Sequence, residues 1–146
     1  MKSNLKGLFF GEIVVEMCDG NMWRLVQNEE NTFGMQVVDV GRIVPPDGFA
    51  VDFASIPAPI RWAYPKTGCG PHGQYGPAAV IHDYLYSFHK IGDTDISQKL
   101  ADRIFLLGME IKDVRFTMRN LFYMAVRAGG WRYFGKPDKL NRLRAK

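Results

Sequence analysis

The sequence predicts an α+β fold, with a small antiparallel β-sheet from the N-terminal half followed by three packed helices. Three observations predict it. Short Ile/Val-rich runs alternate with turn residues over the first fifty positions. A Gly/Pro-rich stretch then interrupts the chain. Beyond it, three segments repeat apolar residues at helical spacing.

Phe9 to Met17 reads as the first strand. Cys18-Asp19-Gly20-Asn21 is turn chemistry, and Met22 to Gln27 follows as a second run. An Asp-Gly pair between two such runs is a hairpin signal. Met35 to Val44 is the third strand, closed by the turn Pro45-Pro46-Asp47-Gly48, and Phe49 to Phe53 is a short fourth. Ser55 to Pro77 carries five prolines and four glycines, a long loop of the kind that tends to be functional.

The first helix begins near Gly76-Pro77, with proline at the favoured first position, and runs to about His89, with Gly92 able to end it. The second opens at Asp95 as cap, with Gln98 three residues on, and continues to about Lys112. The third runs from near Asp113 to Gly129-Gly130. The chain reads as one domain: strand-rich 1–54, a loop over 55–76, a helical part 77–130 and a basic tail 131–146.

With 146 residues and 47% apolar content, the chain is long enough to bury a core without staples. Its two cysteines, Cys18 and Cys69, are too few for a disulfide framework and suit a reducing compartment. The opening GLFFGEIVVEM is faintly like a signal peptide, but Glu12 and Glu16 interrupt the apolar run and no cleavage site follows cleanly. No stretch of uncharged apolar residues is long enough for a transmembrane helix. The net charge of +4 is uneven: from Trp131 onward there are six Lys/Arg and one Asp. Such a tail suits an acidic protein partner, lipid headgroups or nucleic acid, or is simply a solvated terminus.

Chemistry concentrates on the first helix. His82 and Tyr86 are four residues apart and share a face, with Asp83 turned about 100° from His82. Asp102 lies on an apolar stripe of the second helix with Phe105, Leu106 and Met109, so burial is expected, and a buried carboxylate needs a partner. His82 or Tyr86 is that partner if the short Ile91–Thr94 link packs the two helices antiparallel. A His–Asp pair fixes the imidazole tautomer and suits a general base. It also serves as a structural tie between helices.

Asp52 and Ser55 form a second cluster at the end of the fourth strand. No nucleophile turn surrounds Ser55, and both side chains are suited to shaping the turn before Pro57. His72, His82, Asp83 and His89 are potential zinc ligands, but their spacing matches no common set.

At DFASIP, AAVIHDYLY, KLADRIF and FYMAVRAGG the sequence resembles a phage and prophage family known as domain of unknown function 1353, over roughly Phe49 to Gly130. The resemblance implies a phage gene, located in the virion or the host cytoplasm, without an established activity. The His-Asp-x-x-Tyr helix and the Asp102-Arg103 pair are also similar to secreted phospholipase A2, with Ala101 where that family has cysteine. That resemblance implies His82 as base, Asp83 as a calcium ligand, and Tyr86 and Asp102 supporting His82. The phospholipase cysteine framework is absent, and the N-terminal strands have no counterpart there.

The expectation is a hydrolase with His82 as base, oriented by Tyr86 and Asp102. Asp83, with Asp52, would hold a cation such as Ca²⁺. The substrate would be a lipid or cell-wall ester or amide. The alternative is a non-enzymatic virion or tail component, or a ligand- or host-binding protein, that meets other phage proteins through its basic tail.

Overall fold

A computed structural model describes residues 2–18, 22–51 and 73–136 of the chain. Strands fill the first part of this range and helices the second, the α+β arrangement expected. Strands β1 (Gly7–Phe10), β4 (Gly34–Val37) and β5 (Gly41–Ile43) form one antiparallel sheet in the order β1-β4-β5. Strands β2 (Val15–Met17), β3 (Trp23–Leu25) and β6 (Ala50–Val51) form a second, in the order β2-β3-β6.

Two predicted strands are therefore each two strands. Phe9 to Met17 breaks at Gly11, which adopts φ 68°. A Cβ there would collide with the Thr32 carbonyl, so glycine allows the chain to leave one sheet and enter the other. Met35 to Val44 folds back on itself, pairing Met35 with Ile43 and Val37 with Gly41. The pairing of Val15 with Leu25 and Met17 with Trp23 gives the hairpin expected around residues 19–21.

Helix α1 (Gly76–Phe88) starts with proline in its first turn and ends at His89, whose left-handed φ of 43° lets its N–H reach the Leu85 carbonyl. His89 is thus the terminator, and Gly92, at φ 59°, turns a small ribbon between β7 (Lys90–Ile91) and β8 (Thr94–Asp95). Asp95 belongs to that ribbon and does not cap the next helix. The cap of α2 (Gln98–Ile111) is Ser97, whose Oγ accepts from the Leu100 N–H at 3.2 Å. Helix α3 (Phe116–Gly129) starts three residues later than Asp113, because Asp113 adopts φ 53° in the turn that ends α2. A single 3₁₀ turn, Gly130–Arg132, follows.

Helix α2 is central. Its buried residues run through Ile104, Phe105, Leu106, Leu107 and Met109, and Gly108 lies against Phe9 of β1 and Ala78 of α1. Helix α1 meets the other sheet through Phe49, whose ring packs edge-on against Tyr84 at 5.8 Å. Met35, Val37, Ile43, Leu25 and Val51 close the core from the strand side.

Candidate functional site

Helices α1 and α2 run antiparallel, as their contacts show. Ala78 touches Gly108, His82 stacks on Phe105 at 4.5 Å, and Tyr86 reaches Asp102. Descending one helix is ascending the other. The helical repeat places His82 and Tyr86 one turn apart on the face that α2 covers. Asp102 arrives opposite both.

His82 Nε2 lies 3.1 Å from Asp102 Oδ1, and the Tyr86 hydroxyl donates to the same oxygen at 2.6 Å. The other oxygen, Oδ2, accepts from Arg127 Nη1 at 2.8 Å. Asp102 is 0% exposed, and His82 and Tyr86 are buried with it. Burial pushes the Asp102 carboxyl up, but the hydrogen bonds from His82, Tyr86 and Arg127 outweigh it and leave it below its ordinary value. Burial, then the hydrogen bond to Asp102 and its charge, raise the Tyr86 phenol well above its ordinary value, so it stays a neutral donor. The hydrogen bond to Asp102 raises the Arg127 guanidinium in turn. An ionised carboxylate only accepts, so Asp102 fixes the proton of a neutral His82 on Nε2 and leaves the lone pair on Nδ1. That nitrogen lies 4.0 Å from Asp83 Oδ1 on the more exposed side.

Arg127 and Gln98 complete the network; sequence reasoning missed Arg127 and read Gln98 only as the capping partner of Asp95. Gln98 Nε2 donates to the Tyr86 hydroxyl at 3.2 Å and to the Val126 carbonyl at 3.3 Å, tying α2 to α1 and α3. Arg127 comes from α3, 25 positions beyond Asp102, and no local pattern marks such a pairing. Gly130 has a readable signal, as the second glycine of a pair at a helix end. A Cβ on it would collide with the Tyr86 hydroxyl and meet Gln98 Nε2 at 3.0 Å. The Gly135 N–H then bonds the Tyr86 carbonyl at 2.7 Å, and the Phe134 ring meets Tyr86 edge-on at 5.3 Å.

The structure thus brings His82, Tyr86 and Asp102 together, with Asp83 alongside. Arg103 points elsewhere: Nε and Nη2 both donate to the Ser3 carbonyl, at 3.1 and 2.9 Å, and Ser3 also bonds Glu110. Arg103 is a clip for the N-terminal segment. Asp52, Ser55 and His72 lie outside the described residues. His89 Nε2 sits 3.9 Å from Asp95 instead of joining His82.

Calcium takes six to eight oxygens. Among the described residues no group of three or more His, Cys, Asp or Glu side chains could hold a metal ion.

No helix of the described residues is long and apolar enough to cross a membrane. No curated protein matches the chain, and no solved structure matches it. A family model does match, over residues 26–126, which take in β4 to β6, His82, Tyr86 and Asp102 and stop one residue short of Arg127. The match begins upstream of the motifs quoted above and covers the larger part of the sequence, so the chain belongs to the protein family of unknown function DUF1353.

Proposed function

We propose that this protein is a hydrolase in which His82 acts as general base on water. One observation carries the reading: His82 gives Nε2 to a buried carboxylate and directs its other nitrogen toward Asp83, 4.0 Å away. A separation of that size is spanned by one water hydrogen-bonded to both groups. His82 Nδ1 takes a proton from that water, and the oxygen attacks the carbonyl carbon of an ester or amide. The tetrahedral intermediate collapses as the imidazolium returns the proton to the leaving oxygen or nitrogen. Asp102 holds the tautomer and offsets the charge that forms on the ring. Tyr86 and Arg127 position Asp102. In a phage or prophage setting, the bond would belong to a lipid or to the cell wall. Calcium at Asp83 would require further oxygens besides its carboxylate, so it enters as an arm of the experiment.

The experiment compares wild type with His82→Ala on phospholipid and peptidoglycan, with and without calcium. Removing a general base should lower the rate about 10²–10⁴-fold. A His82→Ala chain that stays folded and cleaves at the wild-type rate would end the proposal.

A second reading has its own observation. His82 is 7% exposed. It lines neither of two surface clefts, one of about 330 Å³ at Phe9, Phe33, Pro77 and Lys112, the other of about 520 Å³ at Val44, Pro46, Tyr84 and Phe88. In that reading the network is a junction of three helices in a non-enzymatic phage component. His82→Ala would then leave Asp102 short of a partner and cost about 1–3 kcal/mol of stability.

A further inference from the structure

The outward face of α3 is unusual for a surface helix, which normally carries charge toward solvent. Leu121 is 41% exposed and Met124 62% exposed. At helical spacing they share a face with Thr117 and Ala128, both exposed, and no acidic residue occurs anywhere in the helix. Exposed aromatic rings stand near both ends of the helix. Phe116 is 55% exposed, and Trp131 and Tyr133 are more exposed still. Two of these rings carry a guanidinium: Arg119 lies 5.3 Å from the Phe116 ring centre, and Arg132 5.3 Å from that of Trp131.

Charge sets this region apart from the rest of the chain. Residues 115–146 hold nine Lys/Arg and one acidic residue, whereas residues 1–114 hold ten and fourteen.

We infer that α3 and the turn after it form a docking surface for an anionic lipid bilayer. An aliphatic centre, aromatic rings at its ends and basic groups around it are what an interfacial helix presents to headgroups and acyl chains. Leu121 and Met124 would enter the acyl boundary, Trp131 and Tyr133 would lie at headgroup level, and Arg115, Arg132 and Lys136 would meet lipid phosphates. A second copy of the chain fits less well, because a self-paired face would set these cations against their own counterparts. A nucleic acid would leave the aliphatic centre without a complement.

The surface adjoins the His82 network through Arg127, which leaves α3 to bind Asp102. Docking would therefore bring a bilayer to the helix whose Arg127 holds Asp102, the partner of His82. The inference does not need that site to be catalytic, since the experiment reads binding and not turnover.

The test is co-sedimentation of the full chain with vesicles of phosphatidylcholine alone or mixed with phosphatidylglycerol, at low and high salt. Wild type should bind the mixed vesicles, more weakly at high salt. Leu121→Glu with Met124→Glu should weaken binding about tenfold or more, with an unchanged circular dichroism spectrum, because both side chains face solvent. Trp131→Ala should weaken binding by a smaller factor. Three results would overturn the inference. One is wild type that stays in solution with phosphatidylglycerol present. Another is a folded double variant that binds as wild type does. The third is a stable dimer that the double variant dissolves.

Discussion

Replacing Asp102 by asparagine exchanges one oxygen for an NH₂ group and changes almost no volume, yet the structure predicts a large effect. Oδ1 accepts from Tyr86 and His82 and Oδ2 from Arg127, so both ends of the carboxylate face donors. An amide offers one acceptor and one donor. If its oxygen faces Tyr86 and His82, its NH₂ confronts the guanidinium. If it flips, Arg127 is served, the Tyr86 hydroxyl loses its acceptor, and His82 must accept at Nε2 with its proton moved to Nδ1. Either way charge-assisted bonds of about 1.5–3 kcal/mol each are lost.

The Arg127 side chain is 36% exposed, so water recovers part of its share. The net loss should be about 2–4 kcal/mol, a substantial part of a domain's total of about 5–15. Thermal unfolding followed by circular dichroism should show a midpoint about 10 °C lower. A loss below about 1 kcal/mol would refute the view that Asp102 joins the helices. If the protein is a hydrolase, the flipped amide also removes the lone pair from Nδ1. The same exchange in a Ser-His-Asp triad lowers kcat about 10⁴-fold through the wrong tautomer.

Other expectations follow from the same network. The folded Asp102 carboxyl lies below its ordinary value of 3.8, so the unfolded chain takes up the proton first. Its contribution is therefore complete above the unfolded value and is lost as pH falls through the folded one. The stability gap between wild type and Asp102→Asn should shrink in acid, and a gap that widens there would show the sign to be wrong. Tyr86→Phe removes the 2.6 Å donor and should cost about 1–3 kcal/mol in urea unfolding; a neutral result would mean that Gln98 and His82 suffice. Gly130→Ala should cost about 1–3 kcal/mol through overpacking against Tyr86. A Cβ on the neighbouring Gly129 meets nothing within 4 Å, so Gly129→Ala should be nearly neutral. Equal effects from the two glycines would contradict the close approach.

The sequence carried the helices and the acid better than it carried the strands. Periodicity alone placed His82, Tyr86 and Asp102 on faces that meet, because a helix fixes relative direction over several residues. The strand runs gave no sign that Phe9 to Met17 serves two sheets, since alternation looks the same on either side of Gly11. Asp95 and Ser97 are both good caps, and the choice fell to Ser97 because Asp95 was already paired with Lys90 across the ribbon. Arg127 was out of reach for a different reason. Its partner is distant in sequence, and a basic residue near a helix end is ordinarily explained by the helix dipole.

That arginine changes how the last helix behaves over time. Of the described residues of α3, Phe122 is the buried one. Met118, Tyr123, Ala125 and Val126 pack against the core only in part, so on packing alone the helix would exchange its amides with solvent before α2 does. Detaching it, however, strips the cation from a carboxylate with no exposure of its own. The opening of α3 is thereby linked to the charge on a side chain of its neighbour. At neutral pH this link should slow deuterium uptake in α3. In acid, with Asp102 protonated, that protection should be lost.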